Sequence, residues 1–352
     1  MKTSERIELI DQSLSSVSSS IFVSAEDLTE LLQIELGHRE ALDAFIPYSK
    51  HKRKAIAPRK IYYICASNLD ISAQTSLIIG LLLGSELTFK IPTQGLSAFS
   101  KLVEELPISL KQYVTLISEH QIESMAISDV VVVFGTDQTI ASVKEQTHWK
   151  QRFLGYGHKL SFGFIPKGNS TEEWAKLAVQ EINAYNQLGC LSPQAYFCHS
   201  LEEAEQLTDN IRLTWKQEPP RPLPDDFALE AKIYNARQEC LVDGIRIFTP
   251  QDKGLDWTIG LHPCGSTVFR PMPGYRFIQI YPTHDLASML NPWKNNLSAL
   301  SVASEEITPF TEEMSLPFSR FCQTGRLQTP PLQWLHDGRP RLADLVTWQF
   351  ID

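Results

Sequence analysis

Short β-type runs of apolar residues alternate with helical patterns between residues 60 and 165. The run at 129–135, DVVVVFG, is continuous in valine, which is typical of a strand buried on both faces of a parallel sheet. Strands that alternate with helices along the chain predict an open α/β sheet. The predicted strands cover residues 61–66, 87–91, 129–135 and 159–165, and the predicted helices cover residues 24–36, 71–83, 95–105, 109–119 and 137–145.

A second block of helices and strands begins near residue 170. A proline-rich piece at 218–226, EPPRPLPDD, predicts a surface linker or an ordered crossing loop inside this block. The pattern therefore predicts a first α/β domain over residues 1–165, a second over 166–318, and a tail over 319–352. Within the second domain the predicted helices cover 170–188, 200–216 and 285–290, and the predicted strands cover 245–249, 257–261 and 277–281.

Composition excludes several classes of function. The net charge is −9, so binding to nucleic acid or to an anionic membrane has no electrostatic support, and the basic run at 50–60 predicts a solvated loop rather than an anion site. Six cysteines occur without CxxC pairs, so neither a metal site nor a disulfide framework is expected. The N-terminus lacks an apolar signal core, and the apolar stretch at 77–83 is too short to span a bilayer. These features predict a cytoplasmic protein without a membrane span.

Cys190 is the first candidate for chemistry. It lies in the stretch LGCLSPQ at 188–194, where a glycine and a serine-proline pair predict a turn after a helix. A thiolate on such a turn is a strong nucleophile that forms and releases thioesters easily. The alternative is that Cys190 is only a small buried hydrophobic residue, which is the commoner role of a single cysteine.

Three further positions follow predicted strands. Asn68 comes directly after the strand at 61–66, where a side-chain amide could donate to an oxyanion or cap a turn. Gly135 and Thr136 end the valine strand and open a helix, where backbone N–H groups could face a phosphate. Lys90 ends another strand and could lie near a nucleotide ribose or simply in solvent. Each signal is weak alone, because no complete GxGxxG motif is present.

Together these features resemble the aldehyde dehydrogenase superfamily, and more closely its acyl-CoA reductase branch, which includes the fatty-acyl reductase of bacterial bioluminescence. The similarity extends over roughly residues 60–345. The resemblance implies two open α/β domains, a Rossmann-like cofactor domain and a catalytic domain, with a shortened N-terminus and a tail that could contact another subunit. The matching motifs are CASN at 65–68, FKIP at 89–92, FGT at 134–136, GHK at 157–159, Cys190 with the PQ that follows it, and SRFCQTGRLQTPPLQWLHDG at 319–338.

Two departures from the superfamily pattern refine the expected activity. The glutamate that activates water in hydrolysing members has no counterpart in FLGYG at 153–157, which favours reduction of a thioester over oxidation to a free acid. The acidic residue that contacts the ribose in NAD-preferring members is replaced by Thr93 and Gln94. Loss of that carboxylate removes repulsion towards a 2′-phosphate and favours NADPH.

The resemblance therefore implies an NADPH-dependent reduction of acyl-CoA or an acyl carrier protein thioester to an aldehyde. Cys190 and Asn68 are the expected catalytic residues. Two alternatives remain: an acyltransferase that passes the same acyl group from Cys190 to another acceptor, and a non-catalytic subunit of an acyl-processing complex, which would need neither residue. The expected partners are the acyl carrier and, through the tail, a second copy of this chain in a homo-oligomer or a partner subunit. A nucleotide-binding protein with an inert Cys190 is a further alternative. The expected cofactor-binding residues are Ser67, Lys90, Thr93, Gly135 and Thr136.

Overall fold

The chain folds into two compact units. A computed structural model describes residues 1–16, 23–66, 70–93, 95–251 and 254–352. The first unit comprises Met1–His158 together with Pro331–Asp352, and the second comprises Lys159–Pro330. Of the predicted site residues, Ser67 and Asn68 lie outside the described residues.

Seven helices and seven strands are described up to residue 158. The second helix shows how local sequence sets a boundary, because Ser24 and Asp27 form a reciprocal capping box at its start and Gly37 ends it with φ of 81°. The elements in order are α1 (Thr3–Ser16), α2 (Ala25–Leu36), β1 (Ile46–Tyr48), β2 (His51–Ile56), β3 (Lys60–Ile64), α3 (Asp70–Leu83), β4 (Glu86–Lys90), α4 (Ser97–Glu105), α5 (Ile108–Lys111), β5 (Val114–Ile117), α6 (Ile122–Ala126), β6 (Val130–Phe134), α7 (Asp137–Gln146) and β7 (Arg152–Tyr156).

A parallel five-stranded sheet organises the first unit. Its strand order is β5-β4-β3-β6-β7, and each described pair is parallel. Strands β3 and β6 are buried along nearly all of their length, as expected for the central strands of a parallel sheet. Helix α3 is apolar on nearly all sides and is buried between the sheet and helix α1.

Two sequence predictions for this unit are wrong. The segment 109–119 was expected to be one helix, but only the single turn α5 is helical and β5 follows it. The β-branched residues Val114, Thr115 and Ile117 explain this, because such side chains favour the extended conformation. The basic run at 50–60 was expected to be a loop, but it contains strand β2.

The second unit contains a seven-stranded sheet. A 3₁₀ segment, Ala184–Gln187, lies between its first helix and the strand that follows. The elements in order are β8 (Leu160–Ile165), α8 (Glu172–Asn183), β9 (Pro193–Cys198), α9 (Leu201–Gln217), α10 (Phe227–Val242), β10 (Arg246–Phe248), β11 (Thr258–Leu261), β12 (Phe277–Pro282), α11 (Leu286–Leu290), β13 (Leu297–Val302), α12 (Thr308–Glu313) and β14 (Arg320–Gln323).

The strand order in this sheet is β10-β11-β12-β9-β8-β13-β14, and only the edge strand β10 runs antiparallel to its neighbour. Strand β8 pairs with β9 on one side and β13 on the other, so it belongs to this unit. The boundary predicted at residue 165 therefore differs from the observed division by one strand. The reason is physical: β8 is apolar on both faces and can only be buried inside a sheet.

The predicted tail at 319–352 is divided between the units. Strand β14 completes the edge of the seven-stranded sheet, whereas residues from Pro331 return to the first unit. There, β15 (Thr347–Ile351) pairs antiparallel with β2 in a small sheet of order β1-β2-β15. Within the described ranges, no helix combines the length and apolar character that crossing a bilayer requires.

Candidate active site

Cys190 lies on a tight turn between the 3₁₀ segment and strand β9. The N–H of Ser192 donates to the carbonyl of Gly189 at 2.9 Å, and the N–H of Gly189 donates to Oγ of Ser192 at 3.2 Å. The carbonyl of Cys190 accepts a hydrogen bond from Oγ of Ser161 on β8 at 2.7 Å. The cysteine itself is partly exposed. The backbone around the thiol is therefore fixed while the residue stays accessible.

The segment just before this turn is strained. Tyr185, Asn186 and Gln187 have φ values of 53°, 51° and 62°, which place three consecutive non-glycine residues in the left-handed region. Each such residue costs about 1 kcal/mol relative to a relaxed backbone. Strain of this kind persists only where the surroundings hold it, and it concentrates at functional sites.

Arg276 is hydrogen-bonded to the strained segment. Its side chain is 2% exposed, and Nη1 donates to Oδ1 of Asn186 at 2.8 Å. The remaining donors reach main-chain carbonyls, with Nε bonded to Asp256 at 2.6 Å and Nη2 to Arg221 at 2.8 Å. Burial lowers the pKa of Arg276 from its ordinary value, and the nearby Asp256 opposes that change. The guanidinium thus links the strained segment to the loops that contain Arg221 and Asp256.

Gln187 and Tyr275 hold the same segment through other bonds. The buried side-chain amide of Gln187 donates to the carbonyls of Pro193 at 2.8 Å and Phe277 at 3.2 Å. The N–H of Tyr275 donates to the carbonyl of Asn186 at 2.8 Å. Sequence reasoning missed these positions, because their partners are brought together only by the fold.

Glu181 is a buried carboxylate on α8 that the sequence did not single out. It accepts hydrogen bonds from Tyr196 at 2.7 Å, Ser301 at 3.1 Å, and the N–H groups of Gly325 and Leu327 at 2.7 and 3.0 Å. Burial raises its pKa, and the four donors oppose the shift. With both oxygens bonded inside the protein, Glu181 serves as a structural tie between α8, β9, β13 and the turn after β14.

The other cysteines differ from Cys190 in their surroundings. Cys264 is exposed, and the remaining four are buried. Burial raises the pKa of Cys65 to about 12, that of Cys240 to about 11 and that of Cys322 to about 12, and it also raises the pKa of Cys198. Such thiols stay protonated at neutral pH and are poor nucleophiles. Cys190 and Cys264 are therefore the accessible thiols, and only Cys190 lies on a braced turn.

The first unit offers an edge suited to a nucleotide. Strands β4 and β5 lie on one side of β3, and β6 and β7 lie on the other, so the strand order reverses between β3 and β6. In open α/β sheets, ligands bind outside the carboxyl ends of the strands at such a reversal. Ser67 and Asn68 follow β3 in sequence but are outside the described residues, so their assignments stay predictions.

Lys90, Gly135 and Thr136 lie at this edge because β3, β4 and β6 are parallel neighbours in register. Thr136 caps α7 by accepting a hydrogen bond from the N–H of Thr139 at 3.2 Å. A Cβ added to Gly135 would lie 3.3 Å from the side chain of Thr139, so glycine keeps this turn open. Lys90 is half-buried, and Thr93 is exposed.

A carboxylate occupies the neighbourhood where the sequence showed none. Oδ1 of Asp137, the first residue of α7, accepts a hydrogen bond from the N–H of His158 at 3.3 Å. The same oxygen would lie 2.5 Å from a Cβ added to Gly157. The segment at 153–157 therefore has no carboxylate of its own, but the fold brings the carboxylate of Asp137 next to Gly157.

The tail brings an aromatic cluster to the same unit. The ring of His336 stacks on Tyr156 with centroids 4.8 Å apart, and Trp334 lies 5.1 Å from His336. Phe134, the last residue of β6, stacks on Tyr156 at 4.9 Å. His336 is thus part of a packed aromatic cluster.

The family of the protein follows from its match to known sequences. Residues 2–348 match the model that describes the acyl-CoA reductase (LuxC) family. The chain belongs to the acyl-CoA reductase (LuxC) family. It is therefore an oxidoreductase, and the resemblance found in the sequence is confirmed.

Curated relatives agree with this assignment. The chain is 23% identical to the long-chain acyl-protein thioester reductase 2 of Photobacterium leiognathi, with 94% of this chain and 72% of the relative covered. It is 24% identical to the long-chain acyl-protein thioester reductase of Photobacterium phosphoreum, with 94% and 70% covered. Within the family, similarity thus extends over nearly all of this chain.

Solved structures confirm the predicted α/β fold of the aldehyde dehydrogenase type. PnpE from Pseudomonas sp. superposes with a TM-score of 0.71 at 12% identity, covering 99% of this chain and 85% of that one. The NADP-dependent glyceraldehyde-3-phosphate dehydrogenase of Bacillus halodurans, complexed with NADP, gives a TM-score of 0.65 at 14% identity, covering 99% and 83%. At such identities the likeness concerns the fold alone.

Proposed function

We propose that this protein reduces an acyl thioester to an aldehyde through an S-acyl intermediate on Cys190, with NADPH as the reductant. The observation that carries the proposal is the braced turn around Cys190 in a chain of this reductase family. A nucleophile held in a fixed, accessible position reduces the entropic cost of attack on a bound carbonyl.

In the proposed reaction, the Cys190 thiolate attacks the thioester carbonyl carbon. The tetrahedral intermediate collapses with loss of the departing thiolate, which takes up a proton, and an S-acyl enzyme remains. The side-chain amide N–H of Asn68 is proposed to donate a hydrogen bond to the oxyanion. Loss of one such donor typically costs about 3 kcal/mol of barrier. A nicotinamide bound to the first unit would supply the hydride. Cys190 would hold the acyl group until its carbon reaches the aldehyde level, and would then leave as the thiolate, which takes up a proton.

The first unit fits a dinucleotide. Its strand order reverses at the edge where Gly135 and Thr136 open α7, and the glycine leaves space that a Cβ would fill. Lys90, at the same edge, supplies a positive charge suited to a ribose 2′-phosphate. We therefore propose Ser67, Lys90, Thr93, Gly135 and Thr136 as cofactor contacts and NADPH as the preferred form.

The substrate is proposed to be a long-chain acyl group carried as a thioester on coenzyme A or on a protein. The names of the curated relatives support the protein-bound form. The family description supports the coenzyme A form. Both have the same reacting carbonyl, so the chemistry at Cys190 is shared.

The experiment is intact-mass analysis after incubation with an acyl thioester, with and without NADPH, together with absorbance of the reduced nicotinamide. We expect an acyl adduct without NADPH, and loss of the adduct with consumption of NADPH when it is added. Cys190→Ala should abolish both signals, whereas Cys264→Ala, which removes the exposed thiol, should leave both unchanged.

Other outcomes separate the alternatives. An adduct that persists in the presence of NADPH but transfers to an added thiol would indicate an acyltransferase. An adduct on Cys264, or the absence of an adduct with both coenzyme A and carrier-protein thioesters, would contradict the role of Cys190.

A further inference from the structure

The second unit contains a cavity whose lining does not include the cysteine turn. Its volume is about 700 Å³, within the range of small-molecule sites. One side is formed by helix α10, and the other by the loop between β11 and β12 together with Gln279 and Tyr281 of β12. The lining includes His262, Arg270, Asp243, Met272, Gln279 and Tyr281.

His262 gives this cavity a buried acceptor. The residue is 6% exposed, and its ring stacks on Tyr281 with centroids 3.6 Å apart. Nε2 of His262 lies 3.0 Å from Oε1 of Gln279, and the same oxygen accepts from the hydroxyl of Tyr281 at 2.8 Å. The amide nitrogen of Gln279 is used to donate to the carbonyl of Arg270 at 2.7 Å. Oε1 can only accept, so the proton of His262 is on Nε2 and Nδ1 carries a lone pair.

Nδ1 of His262 has no hydrogen-bond partner within the parts of the chain that the structure describes, and His262 lines the cavity. Burial lowers the pKa of His262 to about 4, so the ring stays neutral at physiological pH. A buried neutral nitrogen of this kind accepts a hydrogen bond from a ligand but does not provide a charge.

The charges around the cavity favour an uncharged ligand. Arg270 and Asp243 form an ion pair at 2.8 Å, and Lys232 and Glu239 add one charge of each sign, so the lining carries no net charge. Cys240 remains protonated because burial raises its pKa to about 11. Apolar contact is available from Met272 and the ring of Tyr281, among other lining residues.

We propose that this cavity is a second small-molecule site, which binds an uncharged amphipathic molecule through a hydroxyl or amide N–H donated to Nδ1 of His262. The apolar body of the ligand lies along the wall that contains Met272 and Tyr281. The wall also includes Tyr275, whose N–H holds the carbonyl of Asn186 in the strained segment. The proposal does not depend on the reaction assigned to Cys190.

The test uses four ligands with one octyl body: octanol, octyl methyl ether, octanoate and octylamine. Binding is measured by calorimetry to the full chain and to His262→Phe, which keeps a ring against Tyr281 but removes Nδ1. Octanol should bind wild type about five- to tenfold more tightly than it binds the variant, as expected for one hydrogen bond. The ether, which has no donor, should bind both proteins with equal, weaker affinity, and the two ions should bind more weakly than octanol.

A second measurement covers the case in which His262→Phe folds poorly. In wild-type protein, the ¹⁵N resonance of the non-protonated imidazole nitrogen of His262 should shift on saturation with octanol and not with the ether. Equal affinity of octanol for both proteins, or an unchanged His262 resonance at saturation, would overturn the proposal. Tighter binding of octanoate or octylamine than of octanol would also overturn it, because a charged ligand would then be preferred.

Discussion

The cysteine turn and the nucleotide edge are built in opposite ways. Around Cys190, three residues in the left-handed region are held by the buried side chains of Arg276 and Gln187. At the edge of the first unit, Lys90 is half-buried and Thr136 is exposed, and the glycine turn is formed by local bonds. One site is held by long-range contacts, and the other is formed by the ends of strands.

This difference matches the demands of the two proposed roles. A nucleophile must keep one geometry through attack and release, since displacement by about 1 Å can cost a hundredfold in rate. A cofactor that is exchanged in every turnover binds at an edge that remains open, and helix starts at strand ends recur for that purpose. Substitutions at the two sites should therefore differ in what they change: geometry at Cys190, and affinity at the edge.

The strongest test of this contrast is Arg276→Met. The change leaves the carbonyls of Asp256 and Arg221 and Oδ1 of Asn186 without their donor. Unpaired buried acceptors cost about 1–3 kcal/mol each, so unfolding free energy should fall by roughly 3 kcal/mol. The rate of Cys190 acylation should fall about a hundredfold, because the side chain of Asn186 in the strained segment loses its bond to the guanidinium. Rapid-quench mass spectrometry measures acylation, and urea unfolding measures stability.

Arg237→Met is the matched control. Arg237 is also buried in the second unit and bonds to Thr258, Gly254 and Trp257, which lie outside the strained segment. It should lose similar stability and retain the wild-type acylation rate. Arg276→Lys should recover part of the acylation rate, since one donor can be restored. Equal acylation rates in the two methionine variants would mean that Arg276 acts on stability alone.

A smaller effect is expected from Gly274→Ala. Gly274 has φ of 78°, and an added Cβ would lie 3.1 Å from Cδ2 of Leu188 and 3.3 Å from the carbonyl oxygen of Gln187. The substitution should displace the segment before Cys190 and slow acylation about tenfold. The left-handed backbone at this position should also lower the free energy of unfolding by about 1–2 kcal/mol. Acylation is followed by the same mass measurement.

Gly168→Ala separates backbone strain from contact. Its φ is 81°, and an added Cβ would meet nothing within 4 Å. Gly168→Ala and Gly274→Ala should lower the free energy of unfolding by similar amounts, but only Gly274→Ala should slow acylation. If Gly168→Ala slows acylation as much, the rigidity of the cysteine turn depends on overall stability and not on its own contacts.

Local pattern was enough to predict most of the first sheet. The valine run of β6 could be recognised because a strand buried on both faces carries no polar positions. The pattern failed where neighbours decide the outcome. Strand β9 was missed because Pro193 and Gln194 were interpreted as part of the cysteine turn, although the segment pairs with β8 and β12. Pairing of that kind is set by tertiary packing and not by propensity.

The site divides in the same way. The turn at Cys190 could be predicted from its own flanking residues, and the turn at Gly135 and Thr136 from a strand end followed by a helix start. The chemical roles of these residues stay predictions. Arg276 could not, because its partner Asn186 is 90 residues away and a single arginine carries no local signal. The contact between Asp137 and His158 was missed for a similar reason, since the two residues are 21 positions apart in the chain. Long-range polar contacts are the part of a site that a single sequence does not reveal.

The smallest expected effect belongs to the nucleotide edge. Lys90→Ala should weaken binding of NADPH about tenfold and that of NADH less than twofold, because only the first carries the 2′-phosphate. The difference should shrink as ionic strength rises, since the lysine is only half-buried. Lys144→Ala, which removes an exposed lysine from the last turn of α7, serves as the control and should change neither affinity. Acylation of Cys190 without cofactor should be unchanged in both variants. Equal loss of NADPH and NADH affinity would instead assign Lys90 to a part of the cofactor that both forms share, and the preference for NADPH would then need another source.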